Sequence, residues 1–309
     1  MSAAAVAGLP ANVVVLERGW LSSNNILVIG ADVAALIDTG YVTHAEQTVT
    51  LVESALDGRP LDRVLNTHLH SDHCGGNAAL QARYPALRIE IPPGEAALVD
   101  RWDEEALSFK ATGQSCPRFR ASGLLQPGTE REVGGLHWQI HAAPGHDPHS
   151  VILFEPVSRT LASADALWEN GFGIAFPELK GEPSFDEMAA TLDLIERLAP
   201  SIVIPGHGSV FTDVEGALKV ARRRLEGLQR DPTKHARHAI KVLIKFKLLE
   251  KQRMSRGDWM AWVRETPYLA MVCARFFEGV SLEALAQEIL AELVAARAAE
   301  ITEDEVRNL

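Results

Sequence analysis

Cysteine is scarce in this 309-residue chain: Cys74, Cys116 and Cys273 are odd in number and far apart. A disulfide framework is therefore not expected, and a reducing, cytoplasmic setting fits such usage. Long apolar runs are missing as well. No stretch of about eighteen apolar residues is free of charge, so no membrane span is expected. The opening MSAAAVAGLPANVVVLERG has no basic segment ahead of its short apolar run, which argues against a secretory leader. Tyrosine is also rare, with none between Tyr84 and Tyr268.

What is present describes a globular protein. Hydrophobic residues at 47% and charged residues at 23% exclude a disordered or collagen-like chain, and the length suits one large domain or two moderate ones. The formal charge of −11 hides an uneven distribution. Lys219 to Arg256 carries 13 Lys/Arg against 3 Asp/Glu, a local +10, which leaves −21 for the rest.

The first two hundred residues alternate between two periodicities. NVVVLERG, NNILVIG, VAALIDTG, DRVLNTH, LRIEI, LHWQIHA, SVILFEP, RTLASAD and PSIVIPG read as strands. THAEQTVTLVESAL, NAALQARY and SFDEMAATLDLIERLA have helical spacing. This pattern predicts α/β layers with helices covering sheets. From about Asp213 onward only helical segments are found, broken at Asp231-Pro232, Ser255-Arg256-Gly257, Thr266-Pro267 and Gly279. The expected division is a catalytic domain at 1–212 and a helical domain at 213–309 that could cap the active site.

The most informative stretch is Asn66-Thr67-His68-Leu69-His70-Ser71-Asp72-His73-Cys74-Gly75-Gly76-Asn77, directly after a predicted strand. At extended spacing His68 and His70 point the same way and can reach one cation, while the following turn offers Asp72 and His73 to a second. Three later residues also close predicted strands: His146 in Pro144-Gly145-His146, Asp165 in RTLASAD, and His207 in Pro205-Gly206-His207. Seven candidate ligands exceed what one ion needs, so two divalent ions are the economical reading.

This set, with the Asp38 turn in LIDTG, resembles the metallo-β-lactamase superfamily over roughly residues 12–210. The resemblance implies a four-layer αββα sandwich, followed here by an all-α C-terminal region. It places His68, His70 and His146 on one metal and Asp72, His73 and His207 on another, with Asp165 bridging both. Zinc is the default ion, and iron or manganese also suits these donors. A hydroxide shared by the two cations would then attack a carbonyl or phosphoryl centre, with Asp72 as the catalytic residue that orients it and accepts its proton.

The resemblance also narrows the substrate. β-Lactamases of the superfamily usually lack an Asp at the bridging position, which Asp165 fills. Acyl-homoserine lactonases carry a Tyr after that Asp, and none stands here. Glyoxalase II enzymes share the Gly-Gly-Asn turn but usually have a third histidine where Leu69 stands. The leading expectation is a hydrolase of a small ester, thioester or lactone. Trp168, Phe172 and Phe176 would wall the substrate pocket, and His149 would meet substrate or fix a ligand. Two alternatives stay open: a phosphodiesterase or endoribonuclease using the basic helices on nucleic acid, and a non-catalytic metal-bearing interaction protein. The helical region also admits a homodimer. Cys74 reads as small buried packing rather than a ligand.

Overall fold

The computed structural model of the protein describes residues 8–309. The first seven residues, part of the stretch behind the no-leader expectation, lie outside them. The chain divides into two compact units. One comprises the chain up to Asp103 together with Cys116–Leu225; the other comprises Glu104–Ser115 and Glu226–Leu309. The division thus falls at 225/226 rather than 212, and a short excursion at 104–115 belongs with the helical unit. The physical reason lies in the helix Val214–Arg230. Its Ala217, Leu218, Ala221 and Leu225 are buried, and Arg222 pairs with Asp193 and Glu196 of the first unit, so no break occurs at residue 212.

The first unit is built on two sheets. The six-stranded sheet runs in the order β1 (Val13–Leu16), β2 (Asn25–Ile29), β3 (Ala34–Ile37), β4 (Arg63–Leu65), β5 (Arg88–Ile91), β6 (Gly123–Leu124). Its first two pairings are antiparallel and the remaining three parallel. The five-stranded sheet comprises β7 (Glu130–Val133), β8 (Leu136–Ala142), β9 (Val151–Glu155), β10 (Thr160–Ala164) and β11 (Ile202–Pro205), and its spatial order is β11-β10-β9-β8-β7. Only β10 and β11 pair in parallel there.

Alternation along the strands produces a sandwich. Ile26, Val28, Ala35, Ile37 and Leu65 from one sheet share a core with Trp138, Ile140, Val151, Leu153, Ala162 and Ile204 from the other. The intervening Leu27, Leu36, Val64, Ile152, Leu161 and Val203 point to the opposite faces and are buried too, so both faces of each sheet are covered. The covering helices carry their apolar residues at three- and four-residue spacing. Ala45–Leu56 buries Ala45, Thr48, Val49, Val52 and Leu56, and Ser184–Leu198 buries Phe185, Met188, Thr191, Leu192 and Ile195. This is the four-layer αββα arrangement expected from the sequence.

The second unit is mainly helical: Pro232–Lys251, Arg256–Glu265, Pro267–Phe276 and Leu282–Ala295. Three of these helices start on a side chain that accepts from a backbone N–H, namely Asp231 from Lys234, Ser255 from Asp258 and Ser281 from Ala284. The unit also contains a small antiparallel sheet that the sequence does not announce, β12 (Arg253–Ser255), β13 (Ala299–Ile301) and β14 (Glu305–Asn308), with β14 in the middle. Strands of three and four residues are too short to show a period of two. Among the described residues no helix is long and apolar enough to cross a membrane.

Leu153 is fully buried between the sheets. Leu153→Ala is expected to cost about 2–5 kcal/mol in urea unfolding. Val157→Ala, at a side chain 91% exposed, should change stability by less than about 0.5 kcal/mol.

Candidate metal centre

All seven candidate ligands lie just past the C-terminal end of a strand. His68 and His70 follow β4, and the helix Ser71–Cys74 then presents Asp72 and His73. His146 follows β8, Asp165 follows β10, and His207 follows β11. Backbone hydrogen bonds hold these loops together: Ser23 N–H donates to Asp72 O, Thr39 N–H to His73 O, and Asn24 N–H to Gly206 O. The Asn24 side chain also donates to Pro205 O and Gly208 O.

The side chains converge. Donor atoms of His68, His70 and His146 lie within 4.8 Å of one another, as do those of Asp72, His73 and His207, and those of His68, His73 and Asp165. Asp165 faces both groups: Oδ2 is 3.3 Å from His146 Nε2, and Oδ1 is 3.4 Å from His73 Nε2 and 3.9 Å from His207 Nε2. Asp72 Oδ2 is 3.1 Å from His207 Nε2. His73 Nε2 is buried with no hydrogen-bond partner, an unfavourable state that a cation among these donors relieves.

The walls are shaped for close approach. A Cβ on Gly206 would lie 2.2 Å from Asp165 Oδ1, and one on Gly173 would lie 2.5 Å from His146 Nδ1. Only glycine fits at either position. The outer nitrogens of three of the histidines are anchored as well. His146 Nδ1 donates to Ile174 O at 2.6 Å, and His73 Nδ1 lies 2.8 Å from Asp38 Oδ2. His68 Nδ1 lies 3.1 Å from Thr67 Oγ1, whose hydroxyl donates to Asp38 Oδ2 at 2.8 Å. Asp38 therefore supports two histidines from one turn, at a left-handed φ of 56°.

Protonation follows from burial and charge. Burial, then the neighbouring His146, holds His70 down to about 4, so its ring is neutral and can donate a lone pair. His68 is lowered well below its ordinary value by burial and then by His73, His70 and His146. Burial alone would raise the Asp165 carboxyl, yet His73 and His207 outweigh it and keep it ionised. Burial lowers His73, but Asp165, Asp38 and Asp72 outweigh it and raise this ring well above its ordinary value. Neutral His68 and His70 beside ionised carboxylates suit a divalent cation, and its binding would displace the His73 proton.

The other sequence candidates divide. Trp168 reaches the cluster, its Nε1 donating to Asp165 Oδ1 at 3.2 Å and its ring lying 5.5 Å from His207. Phe176 stands edge-on to His70 at 5.5 Å. Phe172 does not line a pocket. It is fully buried, with the Arg224 guanidinium 5.2 Å from its ring centroid, so the expected substrate contact is corrected. His149 is exposed and its ring lies against Gly94, so nothing places it on a candidate ligand. Cys74 is buried with Sγ 3.7 Å from Cys116 Sγ, outside the donor groups. Sequence reasoning missed Trp20. It is 60% exposed, yet stacks on His207 at 5.6 Å and meets Trp168 edge-on at 5.6 Å. Its only sequence signal was a lone tryptophan in the polar loop between two strands.

Asp165→Ala is expected to lower bound metal from two equivalents to one or none by inductively coupled plasma mass spectrometry, and to reduce turnover at least about 100-fold. Two retained equivalents would contradict the bridging assignment.

Comparison with known proteins agrees with this geometry. The family model described as metallo-beta-lactamase superfamily matches residues 18–207. A hydroxyacylglutathione hydrolase of Synechococcus sp. (strain JA-3-3Ab) is 29% identical over 60% of this chain and 66% of its own length, just under two thirds. An acyl-coenzyme A thioesterase of Homo sapiens is 26% identical over 63% of this chain and 77% of its own. A beta-lactamase domain protein from Burkholderia ambifaria superposes with a TM-score of 0.58 at 21% identity, covering 97% of this chain and 93% of that one, a likeness of fold. With the matched span enclosing every candidate ligand from His68 to His207, the chain belongs to the metallo-beta-lactamase superfamily and is a metal-dependent hydrolase.

Proposed function

We propose that the enzyme hydrolyses a small ester, thioester or lactone, with thioesters the first class to test, and that it uses two divalent ions, zinc by default. The observation that carries this reading is the aromatic border of the donor cluster. Trp20 and Trp168 flank His207, and Phe176 flanks His70 and His146. Such rings suit an acyl group or an apolar leaving group. The two relatives above are named for hydrolysis of hydroxyacylglutathione and of acyl-coenzyme A, which supports a thioester.

Bound divalent ions supply a Lewis acid and a water acidified toward neutrality. The chain's own residues do the rest. Burial raises the Asp72 carboxyl, but His73 and His207 outweigh this and lower it, so it is ionised and available to accept a proton from the attacking water. Trp168 is fixed by its hydrogen bond to Asp165 and offers a rigid face to substrate.

The basic helices support the small-substrate reading over nucleic acid, because much of their charge is already paired. Lys219 pairs with Glu215, Arg222 with Asp193 and Glu196, and Arg230 with Glu226. Arg237 and Lys241 share Glu292, while Lys247 and Lys251 share Glu250. The helix Leu282–Ala295 carries Glu283, Glu288 and Glu292 and no basic residue, which would repel phosphates.

Purified enzyme is expected to cleave at least one acyl thioester or ester with a kcat/KM of about 10⁴ M⁻¹s⁻¹ or more. Chelation should abolish this activity and added zinc restore it. Phosphodiester cleavage without acyl cleavage would overturn the reading, as would salt-sensitive RNA binding that inhibits turnover.

A further inference from the structure

His70 is the candidate ligand whose outer nitrogen lacks a direct anchor but faces a buried carboxylate. Its Nδ1 points inward, 2.8 Å from His146 Nε2 and 3.1 Å from His68 Nε2. Its Nε2 therefore points outward, and 3.9 Å away stands Asp147 Oδ2. Asp147 follows His146 directly in the turn between β8 and β9 and is only 7% exposed. Its other oxygen, Oδ1, accepts from the His149 backbone N–H at 2.8 Å, so the carboxylate is held in place by its own turn. His68, His73 and His146 each have their outer nitrogen against a hydroxyl, a carboxylate or a carbonyl, so Asp147 occupies the corresponding place for His70.

We propose that Asp147 is the positioning residue for His70: its carboxylate fixes the Nε2–H tautomer and strengthens Nδ1 as a donor to the cation shared with His68 and His146. The inference rests on the reading of the cluster as a metal centre. The present 3.9 Å is longer than a hydrogen bond, and a contraction of about 1 Å makes one. A carboxylate behind a ligating imidazole raises its basicity and restricts its ring orientation. A second, half-buried acid stands near the pair. Burial, and after it the charge of Asp147, pushes Glu95 up to about 8, with Lys180 opposing.

The role belongs to this chain's Gly145-His146-Asp147-Pro148-His149 turn. The His149 backbone N–H, not its ring, holds the Asp147 carboxylate. An Asn side chain keeps an oxygen for that N–H and removes only the charge. Asp147→Asn therefore separates the brace from the turn.

The test is zinc titration of metal-free protein against a chromophoric chelator, with thermal unfolding of the metal-free form as the control. Wild type is expected to bind two equivalents. In Asp147→Asn one equivalent should weaken by about 10–100-fold while the other is unchanged, with the metal-free unfolding midpoint unaltered. Asp147→Glu, which retains the charge on a longer arm, should recover most of the lost affinity. If Asp147→Asn does not fold, Asp147→Ser keeps a hydroxyl for the His149 N–H and is expected to show the same selective weakening. Wild-type affinity for both equivalents in whichever of these two variants folds would overturn the brace alone. Failure of wild type to bind zinc saturably would overturn the metal-centre reading and this inference with it.

Discussion

Five histidines and two carboxylates meet in a buried space, and the carboxylates favour a positive charge among them: Asp165, Asp38 and Asp72 outweigh burial and raise His73 well above its ordinary value. Asp72 and Asp165 are ionised, His68 and His70 are held neutral by burial, and His73 Nε2 has no partner. Much of the surrounding structure keeps this arrangement from relaxing. Strand ends fix where each donor starts, Asp38 and Ile174 O fix ring orientation, and Gly173 and Gly206 let the walls close in. A cation turns that frustrated set into a satisfied one. The same ion is what makes hydrolysis feasible without a protein nucleophile.

How much of this was legible depended on how local the signal was. His68, His70, Asp72 and His73 fall within six residues, and their grouping could be read directly. His146, Asp165 and His207 were legible because each follows a segment that reads as a strand, and a sheet carries such positions to one edge. The two-sheet sandwich was legible for the same reason: most of its strands are four to seven residues long, many of alternating or continuous apolar character. Trp20 was not, because nothing local says that a loop near the N-terminus stacks on His207. Phe172 was misread because an aromatic loop has no period, so which rings face outward depends on the Arg224 helix beside it. The short β12–β14 sheet and the unit boundary inside Val214–Arg230 also left no local trace.

Charge distribution changed meaning most. A stretch with a local +10 admits in the sequence a solvated face, a clamp for an anionic substrate or a surface for phosphates, and seven of its thirteen cations are paired with carboxylates. Exposed pairs of this kind contribute little stability, and their main consequence is to cancel the field that nucleic acid would feel. The proposed acyl substrate therefore rests on the rings at the donor cluster. Trp20 is the most exposed of them, at 60%, and stacks on His207.

The most direct measurement is a crystal structure of the zinc-loaded enzyme with anomalous scattering recorded at the zinc edge. Two peaks are expected, about 3.5–4 Å apart, one among His68, His70 and His146 and one among Asp72, His73 and His207, with Asp165 between them. No peak within the cluster, or a peak only at other residues, would contradict the dinuclear centre from which the fold, the braces and the hydrolytic chemistry have been understood.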